Sequence, residues 1–152
     1  MKTHIILLRG INVSGHNTIK MDALTKVLIK LGYENVQTYI QSGNVILESD
    51  ETPSKIAFTI KQELFKEFGH DVPVIVICRK DLEECLSNNL FLKEKDADTK
   101  KLYAAFLSMD LNENSIHDLK ISNIKPDEVQ LDRNKIYNKD AVSPVKTRLD
   151  HK

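Results

Sequence analysis

Cationic and polar side chains gather in two short turns in the first third of the chain. One turn follows an apolar run at residues 5–8, and the other lies around residue 42. Since the first acidic residue is Asp22, the first turn is locally cationic in a chain whose formal net charge is zero. A guanidinium fork with amide and hydroxyl groups can bind a carboxylate, a phosphate or a sugar. The candidate ligand-binding residues are Arg9, Asn12, Asn17, Lys20, Gln41, Ser42 and Asn44.

The same residues also have a purely structural interpretation. In this interpretation, Asn12 and Asn17 hold their own loop in shape, and residues 41–44 only turn the chain. Arg9 then pairs with a carboxylate of the protein rather than with a ligand. The residue types alone leave the two interpretations open.

Two glycines in the first turn superficially match a phosphate-binding loop. Gly10 and Gly15 enclose four residues between a predicted strand and a predicted helix. A nucleotide-hydrolysing loop needs a lysine and then a serine or threonine directly after its second glycine. The chain has His16 and Asn17 there. The sequence therefore argues against nucleotide hydrolysis at this turn.

No catalytic or metal-binding group of residues emerges elsewhere. None of the histidines is paired at the spacing that zinc ligands use; they are His4, His16, His70, His117 and His151. The pair His70 and Asp71 resembles an oriented base, but no nucleophile with supporting context accompanies it. Cys85 lies beside Glu83 and Glu84, which disfavour a thiolate. We predict no catalytic residue, no metal site and no cofactor.

Apolar periodicity predicts the elements that position the two turns. The predicted order is strand 3–9, helix 21–31, strands 36–40 and 45–48, helix 53–68 and strand 74–78. This βαββαβ order is typical of a ferredoxin-like α/β (α+β) half, whose antiparallel sheet has the strand order 4-1-3-2. In that order, the end of the first strand, the hairpin between the second and third strands and the start of the fourth strand share one edge. The candidate residues then meet at this edge, with His70 and Asp71 nearby.

The second half of the chain repeats the pattern incompletely. Strand-like runs at 102–107, 129–131 and 135–137, with a helical turn at 115–119, give the order βαββ. A short helix at 81–86 precedes them. We therefore expect a ferredoxin-like half at 1–87, a linker at 88–101, an incomplete second ferredoxin-like half at 102–138 and an irregular tail at 139–152.

The composition limits the classes of protein to which the chain can belong. The chain has 152 residues, of which 41% are hydrophobic, and its 22 basic residues balance 22 acidic ones. This composition suits one globular domain or two small halves, and neither a basic nucleic-acid arm nor an acidic tail. The apolar run at 5–8 is far too short to span a membrane, and Cys78 and Cys85 do not make a disulfide framework. We expect a cytoplasmic protein without a membrane partner; its oligomeric state is not predicted.

Five short blocks carry a resemblance to a known family. Leu8–Val13, Ile19–Met21 and Thr38–Val45 occur in order, and Asp98–Leu102 and Phe106–Ser108 match a later block. By these blocks the chain resembles the domain of unknown function 1697 family of small bacterial proteins, from about residue 3 to about residue 137. The resemblance implies an α/β fold with ferredoxin-like halves. It supplies no established activity, substrate or cofactor.

The chain departs from this family at two places. His16 stands where family members usually have a basic residue, which weakens the case for an anion-gripping lysine at that position. After Tyr137, members usually continue with a glycine- and lysine-containing segment and a further helix. The sequence here reads differently, so we expect a diverged or truncated end.

The patterns together predict a small binding or regulatory domain that takes an anionic small molecule at a polar sheet edge. An enzyme of unknown reaction and a module that binds nucleic acid weakly stay open as alternatives. The ferredoxin-like RNA-binding module needs aromatic residues on its two central strands, and residues 5–9 and 45–48 contain none. A phosphate-backbone contact through Arg9 and Lys20 would be weak and sensitive to salt.

Overall fold

The computed structural model describes residues 1–112 and 129–139. The chain divides between Leu82 and Glu83 into two compact units. The helices and strands are β1 (Lys2–Leu8), α1 (Met21–Lys30), β2 (Glu34–Tyr39), β3 (Asn44–Ser49), α2 (Pro53–Phe68), β4 (Val74–Cys78), α3 (Arg79–Asn88), β5 (Tyr103–Phe106), β6 (Val129–Asp132) and β7 (Lys135–Asn138). Short 3-10 helices lie at Ile40–Ser42, Leu90–Lys93 and Thr99–Lys101. This mixture of helices with antiparallel strands confirms the predicted α/β (α+β) class.

The first unit is built on a four-stranded sheet in which every neighbouring pair is antiparallel. Its order is β2-β3-β1-β4, which is the order expected from the sequence. β1 lies inside the sheet, with Ile6 opposite Val45 of β3 on one side and opposite Val76 of β4 on the other. An interior position suits β1 because its apolar run is nearly continuous. The end of β1, the connection between β2 and β3 and the start of β4 therefore lie at one edge.

Local signals set the bounds of the helices in the first unit. α2 begins after Thr52, whose hydroxyl accepts a hydrogen bond from the N–H of Lys55 at 3.4 Å. Pro53 occupies the first helical position, where a missing N–H costs nothing. Gly69 ends α2 in a left-handed conformation with a φ of 71°. α1 ends at Lys30, one residue before its predicted end.

The core of the first unit lies between the sheet and the two helices. Alternate residues of β1, Ile6 and Leu8, are buried there, since successive side chains of a strand point to opposite faces. The other buried core residues are Ile11, Ile19, Leu24, Leu28, Tyr33, Val45, Leu47, Ile56, Ile60, Leu64 and Val72. Two of them, Ile11 and Ile19, come from the first turn rather than from a strand or helix. The core therefore extends to the edge at which the candidate residues lie.

The second unit contains a three-stranded antiparallel sheet of order β5-β7-β6. β6 and β7, which correspond to the strand-like runs at 129–131 and 135–137, form a hairpin with Arg133 at its turn in a left-handed conformation, φ 51°. The central strand β7 supplies the most buried side chains, Ile136 and Tyr137. Tyr137 packs with Cys85 and Phe91.

Cys85 is buried beside Tyr137. Burial raises the pKa of the Cys85 thiol. Burial likewise raises the pKa of Tyr137, whose hydroxyl donates a hydrogen bond to Oδ2 of Asp132 at 3.2 Å. Cys85 therefore has little thiolate character, as expected, but burial rather than the neighbouring acidic residues is the main cause.

The predicted domain boundaries stay a prediction. The segment assigned to a linker, 88–101, includes two of the 3-10 helices, and its Phe91 is 7% exposed. The predicted helical turn at 115–119 lies outside the described residues, as does the tail after Lys139. In the part of the chain that the structure describes, no helix has the length and apolar character needed to cross a membrane.

The first unit should lose stability at alkaline pH as the contribution of Tyr33 is lost. The buried hydroxyl of Tyr33 donates to Oε2 of Glu51 at 3.3 Å. Burial, followed by the charge of Glu51, raises the pKa of Tyr33 to about 12, above the value of about 10 for an unfolded tyrosine. Between these values the unfolded chain releases a proton that the folded protein keeps. The contribution of Tyr33 is therefore complete below about pH 10 and is lost as the pH rises towards 12.

Tyr33→Phe should remove this dependence. Urea denaturation between about pH 8 and 11 should show a shallower fall in the free energy of unfolding for the variant than for the wild type, by up to about 1.4 kcal/mol per pH unit. Below about pH 9, the difference in free energy of unfolding between the wild type and the variant measures the loss of the hydrogen bond to Glu51. This difference serves as the internal reference. Parallel curves for the two proteins would contradict the assignment.

Candidate functional site

The first loop, residues 10–20, is fastened into the core near both ends. Ile11 is 2% exposed and Ile19 is 1% exposed. Since burial of an isoleucine side chain stabilises by about 1.5–3 kcal/mol, these residues hold the ends of the loop against the sheet and helices. Between them, Val13 and His16 form a β-bridge, and the His16 N–H donates to the Val13 carbonyl at 2.9 Å. The loop thus has a fixed base and an exposed tip.

The side chain of Asn12 joins the first loop to the second turn, residues 40–43. Its amide oxygen accepts from the Ile19 N–H at 2.8 Å, and its amide nitrogen donates to the carbonyl oxygens of Ile19 at 2.9 Å and of Gln41 at 3.1 Å. The amide nitrogen of Asn17 donates to the Gly10 carbonyl at 3.2 Å. Both asparagines therefore have a structural role, and the loop and the turn meet at one edge.

The second turn also packs directly on the first loop. The Gly43 carbonyl accepts a hydrogen bond from the Leu8 N–H at 3.2 Å. Gly43 has a φ of 79°, and a Cβ at this position would lie 2.5 Å from Cδ1 and 2.8 Å from Cγ1 of Ile11. A side chain therefore fits neither the backbone conformation nor the space. Glycine lets the turn lie against Ile11.

Left-handed backbone is concentrated at this edge. In residues 1–112 and 129–139, the non-glycine residues with positive φ are Asn12, Ser14, Asn17, Asn35, Ile40 and Arg133. Four of these six lie in the first loop or the second turn. Asparagine tolerates this conformation, but the β-branched Ile40, with a φ of 44°, does not. Such strain persists only where the surrounding structure imposes it.

Arg9 leaves β1 at the same edge without an acidic partner. Its N–H donates to the Pro73 carbonyl at 3.0 Å, which extends the pairing of β1 with β4 by one residue. The residue is partly buried. Within the described residues, its guanidinium makes neither a hydrogen bond nor an ion pair. The structural interpretation of Arg9, in which it pairs with a carboxylate, is therefore wrong for the part of the chain that the structure describes.

Lys20 is the second cation at this edge. It is exposed and immediately precedes α1, and its ammonium group has no partner among the residues that the structure describes. No side chain caps α1 at this end. The free N–H groups of the first helical turn and the Lys20 ammonium both favour a negative charge. Asp22 in the first turn of α1 meets part of this preference, so Arg9 and Lys20 are cations of this edge whose side chains have no partner among the described residues.

The other candidate residues lie in or directly after the second turn and differ in the contacts that they make. The Ser42 hydroxyl donates to the Tyr39 carbonyl at 3.2 Å and so stabilises the second turn. Asn44 pairs through its backbone with β1 and β2, and Gln41 is exposed. The sequence also predicts that His70 and Asp71 lie near this edge. Asp71 forms an ion pair with Lys61, with 3.0 Å between Oδ1 and Nζ. Whether any of these residues binds a ligand stays a prediction.

Sequence reasoning did not identify two apolar side chains at this edge. Tyr39 and Ile40 are each 66% exposed, although residues of this type are usually at least partly covered. Tyr39 ends β2 and Ile40 begins the second turn. In the sequence they read as the last residues of an apolar strand, and no local signal distinguishes them from core residues.

No group of three metal-binding side chains from His, Cys, Asp and Glu occurs in residues 1–112 and 129–139. The edge therefore offers cations, amides and apolar surface. This combination suits recognition of an anion by charge and hydrogen bonds.

Comparisons with known proteins agree with this fold. The family model described as "Protein of unknown function (DUF1697)" matches residues 1–137, which confirms the resemblance seen in the sequence. Among solved structures, a conserved bacterial protein from Streptococcus pneumoniae is 22% identical, with a TM-score of 0.70, covering 99% of this chain and 84% of that chain. At this identity the similarity shows the fold alone. No curated protein is significantly similar to the chain.

Gly43→Ala should destabilise the protein more than the same change at Gly15. Both glycines have similar φ values, 79° and 77°, but only at Gly43 does a Cβ meet Ile11. We expect Gly43→Ala to lower the free energy of unfolding by about 1–3 kcal/mol more than Gly15→Ala. Urea denaturation measures both. Equal losses would mean that the turn does not pack on Ile11 as described.

Asn12→Asp should destabilise the protein more than Asn17→Asp. Aspartate tolerates the left-handed backbone but cannot donate to the carbonyl oxygens of Ile19 and Gln41. The expected loss for Asn12→Asp is about 1–3 kcal/mol, because a partly buried acceptor on Ile19 and an exposed one on Gln41 both lose their donor and face a carboxylate. Asn17→Asp removes one exposed hydrogen bond. A larger loss at Asn17 in urea denaturation would show that Asn12 is not the connecting residue.

Proposed function

We propose that the chain, which belongs to the DUF1697 family of proteins of unknown function, binds an anionic small molecule at the polar edge of its first sheet. The observation that carries this proposal is that Arg9 is a partly buried residue whose guanidinium has no acidic partner among the described residues. In this proposal Arg9 provides the principal contact and Lys20 the second charge. The protein then acts as a binding or regulatory domain.

Electrostatics supports this role for Arg9. A charged group that lies close to the protein surface gains free energy when a partner of opposite charge binds it and replaces part of its water. A carboxylate of the protein could be such a partner, but Arg9 faces no acid on its own loop, since residues 10–21 contain none. An anionic ligand would compensate the charge through the guanidinium fork. The ammonium of Lys20 adds positive charge at the start of α1, where Asp22 in the first helical turn offsets the positive end of the helix.

The fixed geometry of the edge also supports binding. Asn12 holds the first loop to the second turn, and Gly43 lets the turn lie against Ile11. A loop that is already ordered loses little conformational freedom when a ligand binds. Strain at Ile40 is of the kind that accumulates at functional sites. The structural roles of Asn12 and Asn17 therefore complement the proposed binding role of Arg9.

The alternative functions have less support at this edge. An enzyme would need a nucleophile or a base near the bound anion, and among the described residues Ser42 already donates to the Tyr39 carbonyl. Stacking of RNA bases would need aromatic side chains on the central strands β1 and β3, which have none. We also propose a cytoplasmic location, which is consistent with the unpaired thiols Cys78 and Cys85.

A thermal-shift screen against phosphates, nucleotides, sugars and carboxylates tests the proposal. A ligand that binds only the folded protein raises its melting temperature. We expect the anions to raise the melting temperature and uncharged sugars to have no effect. Salt-sensitive binding of single-stranded RNA, with no effect of any small anion, would instead support the nucleic-acid alternative.

Arg9→Lys should weaken anion binding and leave stability unchanged. Lysine keeps the charge but loses the two-pronged hydrogen bonding, so we expect the dissociation constant of the best anion to rise about tenfold or more. Because Arg9 has no partner to lose among the described residues, the free energy of unfolding should stay within about 0.5 kcal/mol of the wild-type value. Calorimetric titration and urea denaturation measure the two quantities.

Lys2→Gln is the matched control, because Lys2 is an exposed cation at the opposite end of β1. Its affinity for the anion should match that of the wild type. Ser42→Ala and Asn44→Ala then test the second turn. Wild-type affinity in Arg9→Lys, Ser42→Ala and Asn44→Ala together would rule out this edge as the site.

A further inference from the structure

Two exposed apolar residues lie beside the proposed anion site. Tyr39 and Ile40 are each 66% exposed. Ile40 also adopts a φ of 44°, which a β-branched side chain disfavours, and its exposure shows that packing does not repay this strain. Stability alone therefore gives no reason for an isoleucine at this position.

Hydrogen bonds of the Asn12 side chain bring the backbone beside Ile40 close to the backbone beside Lys20. The amide nitrogen of Asn12 contacts the carbonyl oxygens of Ile19 and Gln41, so these two oxygens lie within hydrogen-bonding distance of one atom. Lys20 directly follows Ile19, and Ile40 directly precedes Gln41. The apolar residue and the cation therefore flank the same point on the edge.

The register of the sheet relates Tyr39 to Arg9. Tyr39 of β2 lies opposite Asn44 of β3, which lies opposite Leu7 of β1. Residues opposite one another share a face, and residues two apart on a strand share a face, so Tyr39 and Arg9 lie on the same side of the sheet. Two strand spacings, about 10 Å, and a two-residue offset along β1, about 7 Å, separate their backbones, which gives a distance of about 12 Å. An anion that carries a ring reaches further from Arg9 towards Tyr39 than a bare inorganic anion does.

We infer that the anion bound at Arg9 carries an aromatic ring, which lies over Asn44 towards Tyr39 and Ile40. This inference rests on the proposed function and specifies its ligand class as an aryl phosphate or an aryl carboxylate. The ring packs against the Tyr39 ring in an offset arrangement and covers the side chain of Ile40. The charge on the ligand is compensated by Arg9, and its apolar part covers surface that the fold leaves exposed.

Paired probes that differ only by a phenyl ring test the inference. Inorganic phosphate is compared with phenyl phosphate, and acetate with benzoate, by NMR titration of the full chain. Burial of a ring against Tyr39 and Ile40 should lower the dissociation constant about tenfold within at least one pair. Equal constants within both pairs would overturn the inference, while Arg9-dependent binding of phosphate or acetate would still support the proposed function.

Variants of the apolar residues locate the effect. Tyr39→Ser and Ile40→Gly should each remove most of the advantage of the ringed probe and leave the constants for phosphate and acetate unchanged. Ile40→Gly should be at least as stable as the wild type, because glycine adopts a φ of 44° without strain. Phe58→Ser is the control, since Phe58 is a similarly exposed side chain on α2, at 67%. The phenyl advantage should persist in this control.

The outcomes separate the two proposals. If the phenyl advantage persists in both Tyr39→Ser and Ile40→Gly, the ring binds elsewhere and the inference is wrong. If none of the four probes binds, or if they bind Arg9→Lys as tightly as the wild type, the proposed function is wrong and the inference fails with it.

Discussion

The hydrogen bonds of a single side chain, that of Asn12, hold the candidate site together. An amide can donate and accept at once, so Asn12 closes the first loop on Ile19 and joins it to the second turn through Gln41. The packing of Ile11 under Gly43 adds an apolar contact at the same junction. Because these contacts and the backbone hydrogen bond of Arg9 to Pro73 fix the backbone, the side chains of Arg9 and Lys20 are placed at the edge without partners among the described residues.

The edge thus separates structural residues from free ones. The structural residues donate side-chain hydrogen bonds to backbone carbonyl groups of the protein; they are Asn12, Asn17 and Ser42. Arg9 and Lys20 have no partner within the described residues. A site whose geometry is set by some residues and whose charge is supplied by others changes little on binding. Such a division also allows affinity to be altered without loss of the fold.

Much of this fold follows from the sequence, because hydrophobic spacing and helix signals act locally. Thr52, Pro53 and Gly69 mark the ends of α2 as expected, and the apolar run at 74–78 is β4. The strand order then places the first loop and the second turn at the same edge of the sheet. These features need only periodicity, capping chemistry and the rule that neighbouring strands are antiparallel.

Contacts between distant residues could not be predicted in the same way. The Gln41 carbonyl that accepts a hydrogen bond from Asn12 lies 29 positions away in the sequence. An asparagine has the same local conformational preferences whether or not it makes such a contact. The structural interpretation expected a carboxylate partner for Arg9, but composition cannot show which acids come near. The left-handed Ile40 contradicts local preference, so only tertiary structure reveals it. The proposed ligand-binding role rests on these long-range features of the structure.

The central claim is that Arg9 and Lys20 bind an anion at the junction of the first loop and the second turn. The most direct measurement is a ¹H–¹⁵N chemical-shift titration of the isotope-labelled chain with inorganic phosphate and with acetate. The account predicts saturable shifts that are largest at residues 9–23 and 40–44 for at least one anion. The account would be contradicted by shifts centred on other parts of the chain, or by the absence of saturable shifts with both anions.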